Sequence, residues 1–186
     1  MGASDGATGR VMGEPMRIRG AEAADAPVVA EIVRAACAAG TQDGFVLSGA
    51  TETADNVLAD LVGKEIYLLY GQSDGCAVGT LRLHAPQGAD YLYVTRVAVR
   101  PEWQRLGVAS RLLAFADAEA ARRGLRALRL DTPRDHSRLV WFYRRHGFAP
   151  AEQTVLPGRP YTSLILERVV MARPVAPGLG AALLSS

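Results

Sequence analysis

The sequence predicts a single α/β domain on a mixed sheet, in the order β-α-α-β-β-β-α-β-α-β-β. Three observations predict it. Short β-branched and aromatic runs alternate with stretches of helical period, as interleaved strands and helices do. One long strand, Asp90 to Val99, leads through a glycine turn straight into an amphipathic helix. A length of 186 residues, 49% hydrophobic and 22% charged, suits one domain with a substantial core.

Each element has its own signal. Met16 to Arg19 suits a short first strand. From Ala24 to Ala39, Val28, Ile32, Val33 and Ala36 recur at helical spacing; Asp25, ahead of Pro27, is a candidate cap and Gly40 a stop. Gly40 to Gly49, with Asp43 and Phe45, is a loop. Thr51 is the cap candidate of a second helix that runs to Val62, with Val57, Leu58, Leu61 and Val62 on one face. Glu65 to Tyr70 and Cys76 to His84 are strands paired about the turn Ser73-Asp74-Gly75. After the long strand, Val108 to Arg123 is a helix that turns Val108, Leu112, Ala116 and Ala120 inward and stops at Gly124. Leu125 to Asp131 is a buried strand. Ser137 to His146 is a helix closed by Gly147, with Asp135 and Ser137 competing as its cap. Phe148 to Val155 and Tyr161 to Val170 are the last strands, around Pro157-Gly158. Residues 1–15 and 171–186, rich in small residues, Gly and Pro, are expected as loose extensions of a domain spanning 16–170.

Bulk properties exclude several classes. A net charge of +2 is too small to argue for a nucleic-acid partner. The basic residues are arginines except for Lys64. Cys37 and Cys76 form neither a metal spacing nor a disulfide framework and read as buried small hydrophobes, which fits a reducing cytoplasm. His84, His136 and His146 show no metal spacing, so no metal is expected, and His146 complements a helix C-terminus. No apolar run approaches bilayer length, and residues 1–15 lack the apolar core of a signal peptide, so no membrane partner is expected.

The chemistry begins at Val94 to Gly107, V-T-R-V-A-V-R-P-E-W-Q-R-L-G. A helix start leaves backbone N–H groups without partners and carries partial positive charge, so a glycine turn that feeds one is an anion site. A phosphorylated ligand is implied. The turn lacks the Lys-Ser/Thr of a P-loop and the G-x-G-x-x-G of a dinucleotide fold, which disfavours both.

Q-R-L-G-V-A resembles the Q/R-x-x-G-x-G/A signature of the GNAT N-acetyltransferase superfamily, which grips the pyrophosphate of acetyl-CoA. Ala109 stands where many relatives carry Gly. A second block, Trp141 to Phe148, resembles the family's F-Y-x-x-x-G-F element. The resemblance spans roughly Ile18 to Arg168. It implies a mostly antiparallel central sheet, splayed near Val97 and Leu130, with the pantetheine arm against the backbone of Val97, Ala98 and Val99. It places the pyrophosphate on Leu106, Gly107, Val108 and Ala109, flanked by Gln104, Arg105 and Ser110. His136 stands where the family often has a pantetheine-binding Asn, and is open to that contact or to a solvated helix start. Arg134 and Arg138 are open to the cofactor's 3′-phosphate or to a plain charged surface loop.

The resemblance also assigns roles in catalysis. Tyr143 corresponds to the tyrosine that protonates the departing thiolate; a phenol is neutral and can donate at pH 7. Its other reading is a core aromatic. The family's strand carboxylate, the general base, corresponds to Tyr93, on the same face as Tyr91 and Thr95. Asp90, Glu52 or Asp43 acting through water, or water with backbone carbonyls, are the other sources of a base. Residues 40–52, the Tyr91/Tyr93 face and the Pro157-Gly158-Arg159 loop would build the acceptor pocket, with Phe45, Tyr91, Tyr93 and Arg159 as substrate contacts. An aromatic wall suits a small amine or amino-acid-like acceptor; a protein lysine or N-terminus stays open, as does a homodimer, since many relatives are dimers.

Two functions follow. The first is direct transfer of acetyl from acetyl-CoA to a primary amine in a ternary complex, with an oxyanion facing a backbone N–H near Val99. The alternative is an acyl-CoA-binding sensor or regulatory module of the same fold, motivated by the missing strand carboxylate.

Overall fold

The computed structural model describes residues 16–40, 45–71 and 75–170. The two terminal extensions, Asp43, Ser73 and Asp74 lie outside the described residues. The chain forms β1 (Arg17–Gly20), α1 (Ala26–Gly40), α2 (Ala54–Leu61), β2 (Glu65–Tyr70), β3 (Ala77–His84), β4 (Tyr91–Val99), α3 (Val108–Arg122), β5 (Ala127–Pro133), α4 (Ser137–Arg145), β6 (Ala149–Thr154) and β7 (Ser163–Val169). The expected order is the observed one.

The sheet order is β1-β2-β3-β4-β5-β7-β6. All pairs are antiparallel except β4 with β5. Strand alternation sends side chains to two cores. Leu69, Leu81, Leu83, Leu92, Val94, Leu128 and Leu166 pack against α3 and α4 through Val108, Leu112, Leu113, Ala116 and Tyr143. Ile66, Leu68, Ala77 and Ala98 pack against α1 and α2 through Val29, Ile32, Val33 and Val57. Gly79 on β3 lets α3 come close: a Cβ there would lie 3.1 Å from a Val108 methyl and 3.2 Å from the Ala98 carbonyl.

Two features of β4 shape the site. Its ladder with β5 covers only Tyr91–Tyr93 against Ala127–Arg129, so the strands part beyond that point. Its ladder with β3 slips, Thr80 opposing Ala98 but Arg82 opposing Thr95. Arg96 and Val97 together face Leu81, a β-bulge, and Arg96 sits at φ 51°, a conformation an L residue keeps only under tertiary constraint. The bulge reverses the alternation. Leu92 and Val94 face the α3 core before it and Val99 after it, while Ala98 faces α1.

Several local expectations are corrected. The cap of α2 is Thr53, not Thr51: its Oγ1 accepts from the Asn56 N–H at 3.1 Å, and Asn56 Oδ1 accepts from the Thr53 N–H at 3.1 Å. The cause is Glu52, which is buried between two arginines and holds the chain inward before the helix starts. Of the expected α2 face only Val57 is buried; Leu58 and Val62 are exposed, because α1 covers a single stripe of this short helix. Asp25 does not cap α1; it pairs with Arg19 at 2.7 Å and accepts from the Glu22 N–H. Neither Asp135 nor Ser137 caps α4, whose N-cap position is His136. Cys76 is exposed just ahead of β3, and Cys37 is half-buried.

Candidate active site

The turn between β4 and α3 is built in steps. Pro101–Trp103 makes one 3-10 turn, and Trp103 drops into the core. Arg100 ties the segment down, its Nε donating to the Ala77 carbonyl at 2.8 Å and its Nη1 pairing with Glu31 at 2.7 Å. The Gln104 side-chain amide donates to the Val99 carbonyl at 3.2 Å. Arg105 (φ 62°) and Gly107 (φ 79°) then bend the backbone through the left-handed region. Gly107 is the N-cap of α3 and offers no side-chain cap. A Cβ on Gly107 would meet nothing within 4 Å. The helix start is therefore uncapped and faces open space, as an anion site requires.

One turn into α3, Ser110 Oγ lies 2.8 Å from His146 Nε2, and His146 Nδ1 lies 2.8 Å from the Phe142 carbonyl. A carbonyl only accepts, so Nδ1 carries a hydrogen and donates it to Phe142. This link joins the head of α3 to the helix that bears Tyr143.

Where β4 and β5 part, a cleft opens. Val94, Thr95, Arg96 and Val97 line it from β4, Leu130 and Asp131 from β5, Tyr143 from α4 and Arg159 from the β6–β7 loop. Asp131 is its focus. Its side chain is only 5% exposed; it pairs with Arg159 Nη1 at 3.0 Å and accepts from the Tyr93 hydroxyl at 3.4 Å. Arg159 also donates to the Tyr161 hydroxyl at 2.7 Å. Burial first, and the Asp131 charge second, hold the phenols of Tyr143 and Tyr93 protonated well above the ordinary tyrosine range. On the opposite wall Arg96 is committed elsewhere, to Glu52 at 2.8 Å and to Ser48 Oγ at 2.8 Å.

The comparisons with known proteins fit this geometry. The model of the acetyltransferase (GNAT) family matches residues 41–148, more than half of the sequence. The chain belongs to the GNAT acetyltransferase family. No curated protein matches its sequence significantly. Its fold is similar to that of PaiA N-acetyltransferase from Thermoplasma acidophilum in complex with coenzyme A: 18% identity, 84% of this chain and 99% of that one, TM-score 0.68. It is similar to the ribosomal-protein-S18-alanine N-acetyltransferase of Escherichia coli, at 20% identity over 87% of this chain and 99% of that one, TM-score 0.63. A GNAT acetyltransferase from Elizabethkingia anophelis with acetyl-CoA bound matches at 15% identity over 83% and 97%, TM-score 0.61. At these identities the structures speak for the fold.

The expected site residues of this GNAT protein fall into three groups. Tyr93, Tyr143 and Arg159 meet in the cleft, with Val97 on its wall. Val99, Gln104, Arg105, Leu106, Gly107, Val108, Ala109 and Ser110 form the strand end, turn and helix start below it. The remainder lie elsewhere. Phe45 does not join Tyr91 and Tyr93 in an aromatic wall; its ring stacks on His136 at 4.7 Å. His136 is accordingly buried, which corrects the solvated alternative. Tyr91 lies under the Arg129 guanidinium at 4.4 Å. Arg134 is paired with Asp135 at 2.9 Å, and Arg138 lies on the exposed first turn of α4. Two of the suggested bases are engaged: Glu52 between Arg82 and Arg96, Asp90 with Arg126 at 2.7 Å. The sequence reading passed over Asp131. Its signal was present, because a carboxylate at the end of the apolar run A-L-R-L-D is costly to bury without a designated partner.

Proposed function

We propose that this protein transfers the acetyl group of acetyl-CoA to a primary amine by direct attack within a ternary complex. The observation that carries the proposal is the alignment of an uncapped helix start at Gly107 with a cleft holding a buried carboxylate and a protonated phenol. The diphosphate is assigned to the N–H groups from Leu106 to Ala109, with Gln104, Arg105 and Ser110 around them. The pantetheine arm is assigned to the free edge of β4 from Val97 to Val99, which the β5 ladder leaves open.

In the reaction the acceptor nitrogen attacks the thioester carbonyl. Asp131 receives the ammonium and takes one proton from it, and the neutral nitrogen then attacks. The oxyanion of the tetrahedral intermediate is assigned to a backbone N–H near Val99. The intermediate collapses, the C–S bond breaks, and Tyr143 protonates the leaving thiolate; the second proton of the attacking nitrogen returns through water to Tyr143, and Asp131 releases its own to solvent. The shift that keeps Tyr143 protonated favours that donor role, and the shift on Tyr93 argues against Tyr93 as base. Tyr93 instead orients Asp131. In this reading Asp131 on β5 takes the place of the carboxylate missing from β4, which favours catalysis over a non-catalytic sensor.

Incubation with acetyl-CoA and a panel of amines, followed by free-thiol release, tests the proposal. Release that depends on an amine is the expected result. Tight acetyl-CoA binding by calorimetry without release for any amine would restore the sensor reading.

A further inference from the structure

Three ionic side chains line the cleft: the Asp131 carboxylate and the guanidiniums of Arg159 and Arg96. Arg96 is spoken for by Glu52 and Ser48. That leaves one pair, Asp131 with Arg159, spanning the place where an acceptor must enter. Its two members are anchored differently. Asp131 sits on β5, in register with Ile165 of β7, and is almost wholly buried. Arg159 sits on the loop between β6 and β7, just after the Gly158 turn (φ 73°), and its side chain is 21% exposed. The carboxylate belongs to a strand; the guanidinium belongs to a connecting loop.

We infer that Arg159 reads a carboxylate on the acceptor, so the acceptor is a free amino acid or a related amine with a carboxylate close to its nitrogen. The inference rests on the acetyl-transfer reading above and deepens it. An arriving ammonium competes with Arg159 for Asp131. A bare amine would leave a partly buried guanidinium with the Tyr161 hydroxyl as its remaining partner, and uncompensated buried charge is heavily penalised. A zwitterion brings its own anion. Its ammonium takes Asp131, its carboxylate takes the planar fork of Arg159, and one internal pair becomes two with the cleft neutral throughout. The Tyr161 hydroxyl accepts from Arg159, so its own hydrogen can go to the incoming carboxylate. A polyamine would instead bring several positive charges to a cleft in which Asp131 is the one carboxylate and already has a guanidinium partner.

The test uses matched sets: each proteinogenic amino acid, its carboxamide and its decarboxylated amine, with spermidine as the polyamine. Thiol release from acetyl-CoA is followed for the wild type, Arg159→Gln and Arg159→Lys, and acetyl-CoA affinity is measured by calorimetry for each. The expected result is a preference for acid over carboxamide of roughly a hundredfold in kcat/KM. Arg159→Gln brings that ratio close to one, Arg159→Lys keeps part of it, and both variants bind acetyl-CoA as the wild type does. Carboxamides, decarboxylated amines or spermidine accepted as well as the acids would overturn the inference and leave acetyl transfer standing. So would an undiminished acid preference in Arg159→Gln. A wild-type protein that fails to bind acetyl-CoA would overturn the reading beneath it.

Discussion

At the scale of single residues, the cleft gives the two proposed protonation roles different environments. Tyr143 is buried and next to a negative charge, and both effects keep its proton on. Tyr143→Phe keeps the ring packed between Phe142 and Phe148 and removes only the donor. It should lower kcat by roughly 10²-fold with acetyl-CoA affinity unchanged; steady-state rates beside calorimetry check this, and equal rates would exclude Tyr143 from proton transfer. Asp131→Asn retains the shape and loses the charge. Its kcat/KM should fall by roughly 10²–10³-fold at neutral pH, and raising the pH should recover part of the loss, since a larger share of the acceptor then arrives already neutral. A loss that is the same at every pH would assign Asp131 a purely structural role.

At the scale of elements, the approach of α3 to the sheet sets the position of the turn. Gly79 permits that approach, and its virtual Cβ already crowds Val108, Leu112 and the Ala98 carbonyl. Gly79→Ala should cost about 1–3 kcal/mol of stability by overpacking and weaken acetyl-CoA binding by displacing the helix head. Gly63→Ala, where an added Cβ meets nothing within 4 Å, is the control. Gly107→Val tests the turn itself. Its side chain enters open space, so the main folding penalty is the left-handed φ, about 1–2 kcal/mol. The protein should fold with a lowered Tm and lose acetyl-CoA binding; a retained affinity would remove the turn from the site. Most of this architecture was legible in the sequence, because strand and helix periods and glycine stops are local signals. Gly124 and Gly147 do close their helices with positive φ. The bulge at Arg96 was not legible, since nothing local marks it: the side chain it presents bonds to Glu52, forty-four residues away. The same bridge moved the start of α2 from Thr51 to Thr53. Asp131 was hidden for a related reason, as it and its partners Tyr93 and Arg159 come from three different parts of the chain. Cys76 was misjudged because its place just outside β3, rather than inside it, decides its exposure.

At the scale of the whole molecule, stability depends on groups that are harder to ionise in the folded chain than in the unfolded one. Three phenols have this character. Burial and the adjacent Glu65 push Tyr67 up to about 12, and burial with the Asp131 charge pushes Tyr93 and Tyr143 higher still. In the unfolded chain a tyrosine titrates near about 10. A folded value above the unfolded one means that the unfolded state releases its proton first. The contribution to stability is therefore complete below about pH 10 and is lost as pH rises through the folded values. Tyr67 yields first, near about 12, and its ring is packed edge-on against Phe115 of α3 at 4.6 Å, so its ionisation loosens the helix that carries the cofactor turn. Two measurements check this. At about pH 11 the native protein should develop clearly less tyrosinate absorbance than the same chain in denaturant. The denaturation midpoint should hold steady up to about pH 10 and then fall with a slope that Tyr67→Phe reduces. A native titration that coincides with the denatured one would mean that these phenols are solvated, and the dry cleft on which the acid role of Tyr143 depends would go with them.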